Sequence, residues 1–475
     1  MDVLYDELHP SRLRYLFYAV TPNETTFATI EDVPDYTKIT SAWVTVLFLT
    51  EAILSIGKNR FAFNDTVTSM TSGILYLICR ISGKYLTATV YAHVYEKVHL
   101  VELDWRSPWV WILCLVTEDF AYYLAHRCMH ECGIFWSFHQ IHHSSEYYNL
   151  STAMRGGVFM EFGTLGFDLL QSFFIPPQIF LVHKHFNVLY QFWLHTQLVP
   201  YLGPLEYIIN TPSAHRVHHG RNRYCIDKNY GGMLILWDKL FGTYAQEKND
   251  ETIAYGLVDN VKSFNPVWLQ WFDVSFFLWG KGSLRNPDGV EYFPSFKDKL
   301  FAIVAPPGYY PGVRIRRFFL WWCQEDSEFG IPEVNHEVER YNPSLSYAKM
   351  FYISSQLVFL TSYLLPFYER RNEMDWLEFI AQIGIIMSTI QIFGHYFDHD
   401  PMATFHDRLR CFGFLGYCLR YPSTALMTIS ILNLICIQYF ESENEIPVCS
   451  IEEKKTEADG SIETKKKRKK ATKAD

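Results

Sequence analysis

Eight histidines of this 475-residue chain fall in three tight groups, His126-x3-His130, His139-x2-His142-His143 and His215-x2-His218-His219. On an α-helix, positions i and i+4 lie about 40° apart and one turn along, and i+3 shares their face, so each group can turn its rings toward one point. This is the spacing by which helical histidines of zinc metalloproteases bind metal. A lone histidine is more often an ordinary hydrogen-bonded residue, and His9, His93, His99 and His336 read that way. Three groups at ligand spacing read as metal sites, because imidazole is the commonest metal ligand. Eight imidazoles exceed the four of a structural zinc site and the six of an octahedral ion. The natural partition is two ions with about four rings each, leaving positions for oxygen, water or a bridging group. Ligand type alone leaves zinc, copper and iron open.

Several other residues belong to this chemistry. Asp119 lies one heptad before His126 on the same helical face, where it can accept the second N–H of a metal-bound ring; Glu118 is the less favoured neighbour. The alternative for Asp119 is a plain interfacial carboxylate. Glu131 follows His130 directly and reads as a ninth ligand, a base or an exposed side chain. His195 sits in an apolar stretch where a polar ring is costly, so it is expected to be a ligand or to be hydrogen-bonded within the bundle. His183 and His185 are expected on a surface turn. His395 and His399 have the i, i+4 spacing without a partner group and read as interfacial.

The elements that must position these residues are membrane helices. Aromatics make up 17% of the chain, which suits rings anchored at lipid interfaces, while a mean hydropathy of −0.04 requires a large polar portion outside the bilayer. The net charge of −9 argues against nucleic acid, which needs a basic face. The ten cysteines, from Cys79 to Cys449, form no CxxC pair and read as reduced thiols. The start shows no secretory signal pattern, so insertion is expected to rely on internal spans.

The expected fold is all-α, a polytopic integral-membrane helical bundle with a cytosolic, histidine-rich di-metal cap. Residues 1–38 form an N-terminal segment, placed in the lumen because Lys58 and Arg60 follow the first span; the sequon at Asn23 agrees. Residues 39–221 hold the first span at 39–57, a surface amphipathic stretch at 66–79 and two hairpins. The hairpins are 85–103 with 108–124, and 162–182 with 186–202 turning at 183–185. Their parity returns all three boxes to the cytosolic face. Residues 222–346 read as a cytosolic cap and residues 347–440 as further spans, with 411–420 short or re-entrant. The charged tail, 441–475, reads as a disordered cytosolic end.

The boxes and their setting resemble the fatty acid hydroxylase superfamily. The resemblance spans roughly residues 104–244 and includes the text around the boxes, 119–127 (DFAYYLAHR) and 136–139 (WSFH). Only eight residues separate His130 from His139, fewer than in the acyl-CoA desaturases that share the box types. Within the superfamily, residues 139–155 (HQIHHSSEYYNLSTAMR), 189–196 (LYQFWLHT) and 210–222 (NTPSAHRVHHGRN), with Tyr230-Gly231-Gly232, are similar to the branch that cleaves alkylglycerol ethers. Gly156 and Gly157 depart from bulkier residues there, and the C-terminal third matches poorly.

The resemblance implies an endoplasmic-reticulum enzyme with two iron ions that uses O2 and tetrahydrobiopterin to hydroxylate the ether-linked carbon of alkylglycerols. The hemiacetal then collapses to a fatty aldehyde and a glycerol derivative. It also implies a functional role for Glu131, which matches a glutamate beside the first box. No dinucleotide-binding glycine motif is present, so pterin recycling is assigned to a separate reductase. The alternatives are a sterol or fatty-acyl hydroxylase or desaturase fed by cytochrome b5 and, from another class, a metal transporter, which expects histidines strung along a path.

Overall fold

The computed structural model describes residues 6–82, 86–311, 315–316, 323–324, 334 and 338–444. The basic tail and His336 lie outside them. Among the described residues the regular structure is helical, apart from one short antiparallel pairing of Ile315–Arg316 with Cys323–Gln324. The chain divides into two compact units, residues 1–344 and 345–475.

After short helical turns at Pro10–Leu13, Arg14–Phe17 and Pro22–Glu24, the first long helix of the first unit is α1, Tyr36–Leu54, started by the Asp35 carboxylate accepting the Lys38 N–H. Helix α2, Phe63–Ser82, carries the amphipathic stretch, but its polar face turns inward: Asn64, Asp65, Thr68, Ser69, Thr71 and Ser72 are all buried. For Asp65 and Ser69 the reason is Arg155, a fully buried guanidinium that would be strongly destabilising unpaired. It bonds Asp65 at 2.8 Å and Ser69 at 3.1 Å.

Helix α3, Leu86–Val98, has 13 residues and is about 20 Å long, short of the roughly 30 Å hydrocarbon core. Helix α4, Pro108–Glu131, begins with proline at its first position, where the missing N–H costs nothing. Helices α5 (Gly133–His143), α6 (Met160–Gln171), α7 (Pro177–Leu194) and α8 (Pro212–His219) follow. The expected second hairpin is built differently. The chain breaks at Pro176-Pro177, and α7 runs unbroken through 183–185. His183 and His185 are therefore buried rather than on a surface turn. His183 bonds the Tyr18 hydroxyl and packs edge-on to Trp111. Smaller helices α9 (Leu236–Phe241), α10 (Pro266–Ser275) and α11 (Phe296–Val304) complete the unit.

The second unit consists of α12 (Tyr347–Arg370), α13 (Trp376–Phe397), α14 (Ala403–Arg420) and α15 (Thr424–Asn444). The stretch expected as short or re-entrant is thus part of an 18-residue helix. Its core holds a closed polar network in which Asp407 accepts from Tyr352, Tyr396 and Arg410, and Arg410 also reaches Gln356. Among the described residues, four helices are long and apolar enough to cross a membrane: α1, α12, α13 and the Thr424–Ser442 part of α15.

Candidate metal centre

Helix α4 presents His126 and His130, α5 presents His139, His142 and His143, and α8 presents His215, His218 and His219. His195 joins them from the C-terminal cap of α7. The nine rings sort into two groups. One holds His126, His130, His139, His143 and His218; the other holds His142, His195, His215 and His219. Within each group one ligand atom per residue lies within 4.8 Å of all the others. The second and third boxes each divide between the groups: i and i+4 of α5 serve the first, while i and i+4 of α8 serve the second.

The ring orientations are fixed from behind. The Nδ1–H groups of His126, His195 and His218 each donate at 2.8 Å to a backbone carbonyl, of Tyr230, Gln191 and Lys228 respectively. His142 Nδ1 donates to the Arg155 carbonyl at 3.2 Å. A carbonyl only accepts, so these rings must carry their proton on Nδ1 and point an Nε2 lone pair inward. Burial holds the rings neutral: His126 is pushed down to about 4, and His215, His218 and His219 well below the ordinary range.

The inward nitrogens cannot satisfy one another. His195 Nε2 lies 3.1 Å from His142 Nε2, 3.1 Å from His215 Nε2 and 3.2 Å from His219 Nε2. A ring nitrogen carries one proton or one lone pair, so at most one of those contacts is a hydrogen bond. In the first group His139 Nε2 is 3.0 Å from His126 Nε2 and 3.2 Å from His143 Nε2. The Nε2 atoms of His130 and His218 are buried with no hydrogen-bond partner. Two ligands about 2.1 Å from one ion at right angles lie about 3.0 Å apart, so these spacings match the edges of an octahedral-type shell. The arrangement fits two metal ions.

Of the expected supporting residues, Asp119 has other partners than the sequence suggested. Asp119 makes no hydrogen bond to a box histidine. It accepts the backbone N–H groups of Met233 (2.7 Å) and Leu234 (3.1 Å) and the Trp237 indole N–H (2.9 Å). It thereby ties the 230–237 loop, which supplies the carbonyl behind His126, to α4. Glu118 accepts from Asn187 at 3.0 Å. Glu131 is outside both histidine groups and pairs with Arg127 at 2.8 Å, one turn back on α4.

Other residues at the site escaped the sequence reading. Asp238 accepts the Tyr230 and Gly231 N–H groups and closes the loop behind His126. Asp227 lies 3.8 Å from His130 Nδ1. Tyr148 and Tyr230 wall the two groups, with ring centres 5.2 Å from His219 and 5.3 Å from His130. The Tyr230-Gly-Gly text was the available signal for this loop. Gly157 is set against α5, where a Cβ would meet the Phe138 carbonyl oxygen at 1.9 Å; its smallness is a packing requirement.

Residues 111–243 match the family model described as fatty acid hydroxylase. The chain is 42% identical over 417 residues to alkylglycerol monooxygenase of Caenorhabditis elegans, covering 87% of this chain and 83% of that one. It is 37% identical over 435 residues to the human alkylglycerol monooxygenase, covering 90% and 93%. A more distant similarity, 30% over 213 residues, covers 42% of this chain and 62% of the ornithine lipid hydroxylase OlsE of Rhizobium tropici. No solved structure matches. A multi-pass membrane chain with this histidine centre, aligned along nearly its whole length with those enzymes, belongs to the alkylglycerol monooxygenase family.

Proposed function

We propose that this chain hydroxylates the ether-linked carbon of alkylglycerols, using O2 and tetrahydrobiopterin, and so releases a fatty aldehyde and a glycerol derivative. The observation that carries the reading is the pair of buried histidine groups in a chain that belongs to this family. We assign one iron to His126, His130, His139, His143 and His218, and a second to His142, His195, His215 and His219. Iron supplies the O2-activating chemistry that redox-inert zinc lacks.

The residues of the chain hold and orient. Backbone carbonyls of Tyr230, Gln191, Lys228 and Arg155 fix the ring tautomers, which keeps the inner lone pairs available. Burial excludes bulk water, limiting wasteful proton and oxygen chemistry. Glu131, paired with Arg127 at the end of α4, is assigned a functional role beside the first box. Asp119 acts as a positioning residue through the loop behind His126.

The electron count requires a donor. One atom of O2 enters the C–H bond beside the ether oxygen; the other leaves as water with two electrons and two protons from tetrahydrobiopterin. A separate reductase restores the pterin. The reading also places the enzyme in the endoplasmic-reticulum membrane, with the histidine centre and residues 222–346 on the cytosolic side. Epitope tags at the exposed Asn23 and Asp250 test that sidedness by protease protection; a protected Asp250 would reverse it.

The decisive assay uses purified enzyme with a long-chain alkylglycerol. Aldehyde is expected to form only with O2 and tetrahydrobiopterin both present, with about one pterin oxidised per turnover. Full turnover with cytochrome b5 and its reductase alone would replace this reading with a b5-dependent hydroxylase.

A further inference from the structure

The second unit carries its own cluster of ligand-type side chains, in the turn between α13 and α14. Helix α13 ends at Phe397, and His399 adopts a left-handed backbone, φ 53°. The Asp400 N–H then returns to the His395 carbonyl at 2.9 Å, a Schellman-type closure that stacks Asp400 against the last turn. This geometry replaces the His395–His399 pairing that spacing alone suggested, since His399 is left exposed. The opening turn of α14 brings His406 to the same place, its ring centre 4.5 Å from that of His395. His395, Asp400 and His406 thus offer three donor atoms within 4.8 Å of one another.

Two features show that the cluster is not satisfied by its own hydrogen bonds. His406 Nδ1 and, one turn before His395, Gln391 Oε1 are buried without a hydrogen-bond partner. His395 Nδ1 faces Asp400 Oδ2 at 2.5 Å, so a proton must stand between them. A divalent ion can take that proton's place: ligands of one ion sit about 3.0 Å apart, an adjustment of about half an ångström. All three side chains are only partly buried, so an ion can enter and a water can complete the shell. Two imidazoles, one carboxylate and one open position are a composition that zinc-type ions prefer.

We propose that His395, Asp400 and His406 form a further metal-binding position, taking one divalent transition-metal ion of the zinc class and clamping the α13–α14 turn. Upon binding, the proton shared by His395 and Asp400 is released to solvent.

The test counts metal on the full-length, iron-loaded protein in detergent after zinc is added and excess removed. Wild type is expected to hold one zinc per chain while keeping its iron; His406→Ala and Asp400→Asn lose the zinc and keep the iron. Conversely, His126→Ala loses iron and keeps the zinc, which separates this position from the box sites. Equal zinc binding by wild type and both C-terminal variants overturns the proposal. The zinc X-ray absorption spectrum of the wild-type protein is an arm that needs no variant. A shell with two imidazoles supports the site, and one without imidazole overturns it.

Discussion

Asp119 and Met233 are 114 residues apart in sequence, and the carboxylate of the first accepts the backbone N–H of the second at 2.7 Å. Through this bond and those to Leu234 and Trp237, α4 carries both the ring of His126 and the anchor of the loop whose Tyr230 carbonyl holds that ring. Ring and holder are therefore tied to the same helix.

Asp119→Ala leaves three partly buried donors without an acceptor. At about 1–3 kcal/mol for each unsatisfied group, partly recovered by relaxation, the protein should lose about 3 kcal/mol of stability. Metal affinity should fall about 10- to 100-fold, the usual scale for residues behind a ligand. Melting temperature and iron titration of the variant check both. Unchanged iron affinity would reduce Asp119 to a purely structural role.

His195 and His183 share a helix and differ in partners. His195→Ala should bring the iron content from two per chain to about one and abolish turnover, because its Nε2 is the hub of the second group. His183→Ala removes a ring bonded to Tyr18 and should weaken folding while leaving two irons bound. Elemental analysis of both proteins distinguishes them; two irons in the His195 variant would remove it from the ligand set.

Gly156 and Gly157 provide a graded packing test. An added Cβ at Gly157 meets the Phe138 carbonyl oxygen at 1.9 Å, whereas at Gly156 it meets the Tyr76 side chain at 3.2 Å. Gly157→Ala should therefore cost about 3 kcal/mol, the upper range for overpacking, and Gly156→Ala about 1 kcal/mol or less. Thermal melts of the two variants should rank in that order. Because α5 carries three box histidines, iron content should fall with Gly157→Ala as well.

Protonation sets a pH window for the metal-stripped protein. His126 is held at about 4 in the fold, below the roughly 6.5 of an unfolded chain. The unfolded state thus binds more protons between these values, and folding is destabilised as pH falls from about 6.5 toward 4. Above 6.5 the penalty is absent; the other buried box histidines, shifted the same way, deepen it. Chemical denaturation of the metal-free protein across this range should show stability falling with acid. In the loaded protein, protons compete for the same lone pairs, so iron release should follow in the same direction. A flat stability profile would contradict the burial of neutral rings.

Helical periodicity is local, so the spacing of the eight box histidines already told which rings could share a helix face. The long apolar runs likewise marked α12, α13 and α15 as spans, because length and hydropathy are properties of a segment. His195 was also detectable as a polar ring in apolar text. The division of the second and third boxes between two groups was not, since it depends on how α4, α5 and α8 converge. The same applies to the partner of Asp119: a buried carboxylate beside a box suggested a histidine, but loop 230–237 reaches it first. Residues 183–185 resembled a turn through their polarity, whereas Pro176-Pro177 removes two consecutive N–H donors and breaks the helix there. His395 makes the point most directly. Its i+4 residue, His399, is a ligand partner only if the helix continues; the helix stops at Phe397, and the turn delivers Asp400 and His406 instead. Sequence sets which atoms can line up along an element, and only the packing of elements decides which lone pairs meet.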